Sequence, residues 1–210
     1  MRAAPERSAD RDEALALALP HVATLGWGWP ALRAGLHDAG RPALDAELLF
    51  PGGAADMVEM FIDQADRDLT RIATAAGFAE LRMTGRVRAL VLGRLAALEP
   101  HRDAVRRAAA VLVCPGNARM AAGSLARTVD EIWHLAGDQS ADFGWYTKRA
   151  ILAGVYSATL LFWLRDNSED GAATAAFLDR RLGEVGRIGK LRGKIEARLA
   201  GLRERMRPTA

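Results

Sequence analysis

Apolar residues recur every three to four positions along almost the whole chain, and Ala, Leu, Arg and Glu dominate it. That spacing is helical, and these are good helix formers. The two-residue alternation of half-buried strands is nearly absent. The pattern predicts helices over residues 10–25, 30–38, 42–48, 53–76, 80–98, 101–113, 118–136, 147–165, 171–182 and 185–206. Gly and Pro chemistry marks the joints, at Gly26-Trp27-Gly28, Gly40-Arg41-Pro42, Phe50-Pro51-Gly52-Gly53, Glu99-Pro100, Cys114-Pro115-Gly116-Asn117 and Gly137. The fold class expected is all-α.

Two of these segments differ from the rest. Ala150 to Leu164 is an uncharged run of fifteen residues, apolar nearly all round. A membrane span needs about 20, so it reads as a central, buried helix. Its small residues Gly154, Ser157 and Ala158 either pack a neighbour closely or leave room for an apolar ligand. The segment 185–206 carries a narrow stripe of Ile188, Leu191, Ile195, Leu199, Leu202 and Met206. Arg187, Lys190, Lys194, Arg198 and Arg205 line one flank, and Gly186, Gly189 and Gly193 lie opposite. This is an amphipathic basic helix of the membrane-surface kind, or a helix that completes the bundle. Each glycine costs up to ~1 kcal/mol of helix propensity. The helix is therefore expected to form when its stripe docks.

Composition narrows the classes. The chain has 210 residues, half of them hydrophobic, enough for one globular domain with a small appendage. Net charge is +3, but residues 184–207 alone hold eight Lys/Arg against three Glu, leaving the rest at −2. An anionic partner is expected at the tail. The single cysteine, Cys114, excludes an internal disulfide and a Cys-based metal cluster. Met1 to Glu13 mixes bases and acids, unlike a secretory signal or a transit peptide. Residues 1–10 read as a disordered lead-in, and the protein as cytoplasmic, of bacterial style.

The first three predicted helices are short and tightly connected, with helix-turn-helix proportions. The layout resembles the N-terminal module of TetR-type repressors, which are all-helical; a plain three-helix cap is the alternative. A DNA-reading helix must offer donors to phosphates and base edges. The candidate, Arg41 to Leu49, has one positive charge against Asp45 and Glu47. Across residues 27–49, Arg33 and Arg41 face Asp38, Asp45 and Glu47, a balance that repels phosphate. The expected organisation is a lead-in at 1–10, a degenerate helix-turn-helix module at 11–52, a helical ligand-binding and dimerisation domain at 53–183 and the basic helix at 184–210. No nucleic-acid partner is expected.

Candidate chemistry is sparse. Glu131-x-x-His134 is half of the ligand set of a di-iron carboxylate bundle. His21, His37 and His101 have Ala18, Ala34 and Leu98 three residues back, so no second pair exists. Helical geometry puts Arg127, Asp130, Glu131 and His134 away from Leu125, Val129, Ile132 and Trp133, with His134 expected to bond Asp130 and Asp138. No nucleophile elbow or phosphate loop is present. The expectation is a non-enzyme with no catalytic residue, metal or cofactor. Seven of the thirteen aromatics fall between Trp133 and Trp163. Adjacent Trp145 and Tyr146, flanked by acids and bases, have the composition of a protein–protein hot spot. The alternative is a core Trp145 capped by Tyr146.

The segment Val129-Asp130-Glu131-Ile132-Trp133-His134-Leu135-Ala136-Gly137-Asp138-Gln139-Ser140-Ala141-Asp142-Phe143-Gly144-Trp145-Tyr146-Thr147-Lys148-Arg149-Ala150 closely resembles the signature of the ubiquinone-biosynthesis lipid-binding family, ninth of the COQ series. Val155-Tyr156-Ser157, Asp166-Asn167-Ser168 and Phe177-Leu178-Asp179-Arg180-Arg181 continue the match, as do Gly26-Trp27 and Phe50 upstream. The resemblance implies a TetR-like fold without DNA binding, a homodimer, an internal lipid pocket and a C-terminal membrane helix. It implies a protein that binds isoprenoid quinone intermediates, or phospholipid, and presents the quinone to the di-iron demethoxyubiquinone hydroxylase. By position, Asp142, Trp145, Tyr146, Lys148 and Arg149 match the partner-binding patch. Ile132, Trp133, Leu152, Val155, Tyr156, Thr159, Phe162 and Trp163 are expected to wall the lipid pocket. Arg187, Ile188, Lys190, Leu191, Lys194, Ile195, Arg198, Leu199 and Leu202 are expected on the membrane. Animal members carry a mitochondrial presequence; its lack here points to a peripheral protein on a bacterial inner membrane. The tail is more basic and glycine-rich than the family's. A TetR-type regulator binding DNA and a hydrophobic ligand is the alternative.

Overall fold

A computed structural model describes residues 5–139 and 143–184, with the backbone alone given at Phe143. The chain divides into two compact units, residues 1–156 and 157–210. The described residues form helices and turns with no strand.

In the first unit, α1 (Ala9–Leu25) begins where the Ser8 side chain accepts from the Arg11 amide, and it packs chiefly on α2 (Trp29–Asp38). A Cβ at Gly35 of α2 would stand 2.2 Å from the Leu17 carbonyl oxygen, so only glycine permits this approach. Trp27, in the turn between them, donates to the Ala104 carbonyl at 2.9 Å and packs on Phe61. Then come α3 (Asp45–Leu49) and α4 (Gly53–Arg67). The helix predicted over 53–76 breaks at Asp68 into α4 and α5 (Leu69–Ala73). The Thr74 hydroxyl caps α5 by donating to the carbonyls of Thr70 and Arg71. A short 3-10 turn, Phe78–Glu80, leads into α6 (Met83–Leu98), followed by α7 (Arg102–Leu112), α8 (Ala118–Ala136) and α9 (Phe143–Trp163). Leu15, Leu32, Leu36, Met57, Met60, Leu90 and Ile132 are fully buried.

Charge bolts α1 to α4. Arg7 donates twice to Asp63, Arg11 reaches Asp56 at 2.5 Å, and Asp12 accepts from Arg67 at 2.5 Å and Gln64 at 2.8 Å. The lead-in expected to be disordered is thus engaged from Arg7 onward. A second device is buried. Arg94 of α6 donates to Asp66 at 3.0 Å and to the Tyr156 hydroxyl, while Thr128 donates to the other Asp66 oxygen at 2.9 Å. This network ties α4, α6, α8 and α9 together in a low-dielectric core, where a missing partner is expensive.

The face expected of α8 holds at Val129 and Ile132, which are buried, while Leu125 and Trp133 are only half-buried. Met120, Ser124, Thr128 and Ala136 complete its buried side, and Arg127, expected to face away, turns inward to Glu59 at 2.7 Å. A long arginine reaches a carboxylate across the helix edge, a pairing that periodicity within one helix does not reveal.

The second unit holds the end of α9, a 3-10 turn at Glu169–Gly171 and a helix over residues 172–184, α10. Asp166 organises the turn. One oxygen accepts from the Ser168 amide at 2.8 Å, the other from the amide and hydroxyl of Thr174 at 2.8 and 2.5 Å. Burial alone would push this carboxyl up; the bonds from Thr174 and Ser168 outweigh it and hold the group well below the usual carboxylate range. Leu178 is fully buried, and Phe162 stacks on Phe177 at 4.5 Å.

Candidate functional site

Gly137 ends α8 in a left-handed conformation (φ 88°), its amide bonding the His134 carbonyl while the Asp138 amide bonds that of Trp133. This closure aims Asp138 at α9. Lys148 donates to Asp138 at 2.8 Å, and Arg149 donates to Asp130 at 2.7 Å. The expected bonds from His134 to Asp130 and Asp138 are therefore corrected: the permanent cations of α9 hold these carboxylates. The Arg149 guanidinium lies 3.8 Å from the Trp145 ring centroid, and Trp145 meets Tyr146 edge-on at 4.7 Å. Tyr146 is 69% exposed and Trp145 half-buried. The structure thus brings Trp145, Tyr146, Lys148 and Arg149 onto one corner. Asp142 lies outside the described residues. Asp130 and Asp138 complete the cluster, and their signal was the opposed charges on the two sides of the 138–142 connection.

The residues expected around a lipid divide by burial. Ile132, Leu152, Val155, Tyr156, Thr159 and Trp163 are buried, Trp133 and Phe162 half-buried. The Tyr156 hydroxyl is committed to Arg94. The Trp133 indole N–H is buried and finds no acceptor among the described residues, an arrangement native cores rarely leave. Phe162 lines a cleft of about 560 Å³ in the second unit with Ala158, Leu161, Phe177, Arg165 and Asp166. Its wall is mostly apolar, with a cation at the rim. Leu161 is 58% exposed there. The expected membrane residues, Arg187 to Leu202, lie outside the described residues.

Elsewhere the N-terminal module offers phosphate little. Arg33 pairs with Glu47, Arg41 pairs with Glu13, and Leu44 and Leu48 of the α3 region stand exposed. Among the described residues no helix is long and apolar enough to cross a membrane. No group of three or more His, Cys, Asp or Glu able to hold a metal occurs among them either, and Glu131 and His134 of α8 stay apart from any such cluster.

Comparisons with known proteins agree with this frame. The COQ9 family model matches residues 118–189, which include α8, α9 and the described part of α10. The mitochondrial ubiquinone biosynthesis protein coq9 of Schizosaccharomyces pombe is 35% identical over 181 residues, covering 85% of this chain and 70% of that protein. The bovine and human mitochondrial proteins named COQ9 are each 33% identical over 190 residues, 87% of this chain. The chain spans 59% of the length of each of these two mammalian relatives. A TetR transcriptional regulator from Nitrosomonas europaea superposes with a TM-score of 0.69 at 24% identity, over 84% of this chain and 98% of that one. At that identity the likeness shows the fold alone, an all-α TetR-like bundle. The relatives' names overturn one expectation: they are mitochondrial proteins of eukaryotes, so the assignment to the cytoplasmic face of a bacterial inner membrane is withdrawn. With this identity across most of both chains, the protein belongs to the COQ9 family.

Proposed function

We propose that this protein serves ubiquinone biosynthesis as a membrane-associated accessory that shelters an isoprenoid quinone intermediate and presents it to the di-iron demethoxyubiquinone hydroxylase. The names of its relatives support the pathway. The observation that carries the lipid reading is the cleft beside Phe162 and Phe177, apolar within and edged by Arg165. An isoprenoid tail gains by leaving water there, at about 25 cal/mol per Å² of apolar surface buried. The protein works by positioning: lifting a quinone head out of the bilayer exposes it to a peripheral enzyme, and no covalent step on this chain is required.

The Trp145–Tyr146–Arg149 corner is the surface offered to that enzyme. Its aromatic and arginine anchors are pre-ordered by Asp130 and Asp138, which lowers the entropy lost on docking. The basic stripe of 185–206 is the membrane anchor, and a second copy of the chain completes the assembly as a homodimer.

Turnover of demethoxyquinone embedded in vesicles tests this. Adding the chain should raise the hydroxylase rate. The Trp145→Ala/Tyr146→Ala variant should lose that gain and bind the hydroxylase at least about thirty-fold more weakly, since even one hot-spot truncation costs about 2 kcal/mol. Its circular dichroism should stay helical. A hydroxylase rate indifferent to the chain contradicts the proposal.

A further inference from the structure

Where the turn after α5 runs into α6, the surface is apolar and basic at once. Leu81 and Met83 are 41% and 38% exposed, and they flank Arg82, which is also exposed and enters no ion pair among the described residues. Residues 68–88 hold Arg71, Arg82, Arg86 and Arg88 against Asp68 and Glu80, a local excess of positive charge. Arg86 keeps the corner in shape. Its guanidinium donates to the carbonyls of Ala79 at 2.5 Å, Leu81 at 3.0 Å and Ala136 at 3.2 Å. Three carbonyls on one fork leave the loop little freedom to fold its apolar side chains back.

The α3 region supplies the contrast. Leu44 and Leu48 are more exposed, at 78% and 80%, yet the cations of that module are paired, Arg33 with Glu47 and Arg41 with Glu13. Exposed apolar side chains beside a free cation suit a bilayer surface: the apolar tips enter the acyl boundary while the cation stays with anionic headgroups. Apolar side chains among paired charges lack the second half of that match.

We propose that Leu81, Arg82 and Met83 form a docking point for an anionic lipid surface, separate from the basic tail. Charge complementarity selects this occupant. The Arg86 bond to Ala136 also sets the corner next to Gly137 and Asp138, and Asp138 holds Lys148. A bilayer bound here therefore lies beside the Trp145–Tyr146 surface. That consequence rests on the proposed function; the lipid contact does not.

The test uses the full chain carrying Cys114→Ser and Met83→Cys, labelled at position 83 with an environment-sensitive nitrobenzoxadiazole probe. Phosphatidylcholine vesicles containing phosphatidylglycerol should brighten and blue-shift the probe, and pure phosphatidylcholine should not. The same probe on Leu48→Cys should stay unchanged. Arg82→Glu should weaken vesicle binding about ten-fold, as expected for reversing one charge at an anionic leaflet. The proposal is overturned if the chain sediments with anionic vesicles while the probe at 83 is silent, or if positions 83 and 48 respond alike. It is equally overturned if the chain binds no vesicles, or if the probe at 83 answers only to the hydroxylase without lipid. Lipid retention, measured by mass on the same samples, reports separately on the quinone-carrier reading.

Discussion

Asp166 shows how much one carboxylate can set. It spans the turn between α9 and α10, accepting from Ser168 and Thr174 on both oxygens. Asp166→Ala should cost about 2 kcal/mol, the upper range for losing a helix-start acceptor, read by urea denaturation. The sign of its pH dependence follows from its depressed pKa. The stabilisation is full above the ordinary aspartate value of 3.8 and is lost as pH falls through the lower folded value. The gap between native chain and variant should therefore narrow on acidification. Asp66 has the opposite sign: burial pushes its carboxyl up, against Arg94 and Thr128, so its contribution declines as pH rises through the raised value. Arg94→Met would strand Asp66 in the core and should cost about 3–5 kcal/mol, with Arg94→Met/Asp66→Asn regaining part of it. The sequence offered Tyr156 as a pocket residue, and its family motif was plain. Its bond to Arg94 was not, because residues 66, 94, 128 and 156 meet only through the packing of four helices. Asp166 was readable as part of Asp166-Asn167-Ser168, though not as the acceptor that starts α10.

Helices were the most legible level. The span predicted at 118–136 matches α8, and α1, α2, α6 and α7 fall within a few residues of their predicted limits. Errors collected where tertiary contacts override periodicity. The 53–76 helix breaks at Asp68, and α3 keeps only Asp45–Leu49. α9 begins a turn earlier than predicted, so Trp145 and Tyr146 sit on the helix itself. Apolar spacing located α8 and its buried Val129 and Ile132, but not the inward Arg127, which uses an ion pair to approach α4. Gly35, which spacing did not single out, is the contact point of α1 and α2. Gly35→Ala should destabilise by about 1–3 kcal/mol despite its better helix propensity, a loss visible as a lower thermal midpoint.

Across the whole chain, a TetR-like frame carries an N-terminal module that offers phosphate few free charges. The N-terminal module is fastened to α4 by Arg7, Arg11 and Asp12, and its own cations are paired. Gel-shift titration at low salt should show no duplex binding tighter than a basic protein's nonspecific level, and a salt-dependent retarded complex would return the molecule to the regulators. Composition and charge alone led to that expectation, whereas the resemblance to the family suggested the lipid-facing and partner-facing residues. A cleft is a property of how helices diverge, which no spacing encodes. The cleft beside Phe162 and Phe177 is proposed to hold an isoprenoid quinone-type lipid. Native mass spectrometry of the intact chain, after incubation with vesicles containing the quinone, tests it most directly. A stoichiometric adduct of that lipid's mass is expected, lost in Phe162→Asp/Phe177→Asp; a bare chain mass under the same conditions would overturn the lipid-carrier reading.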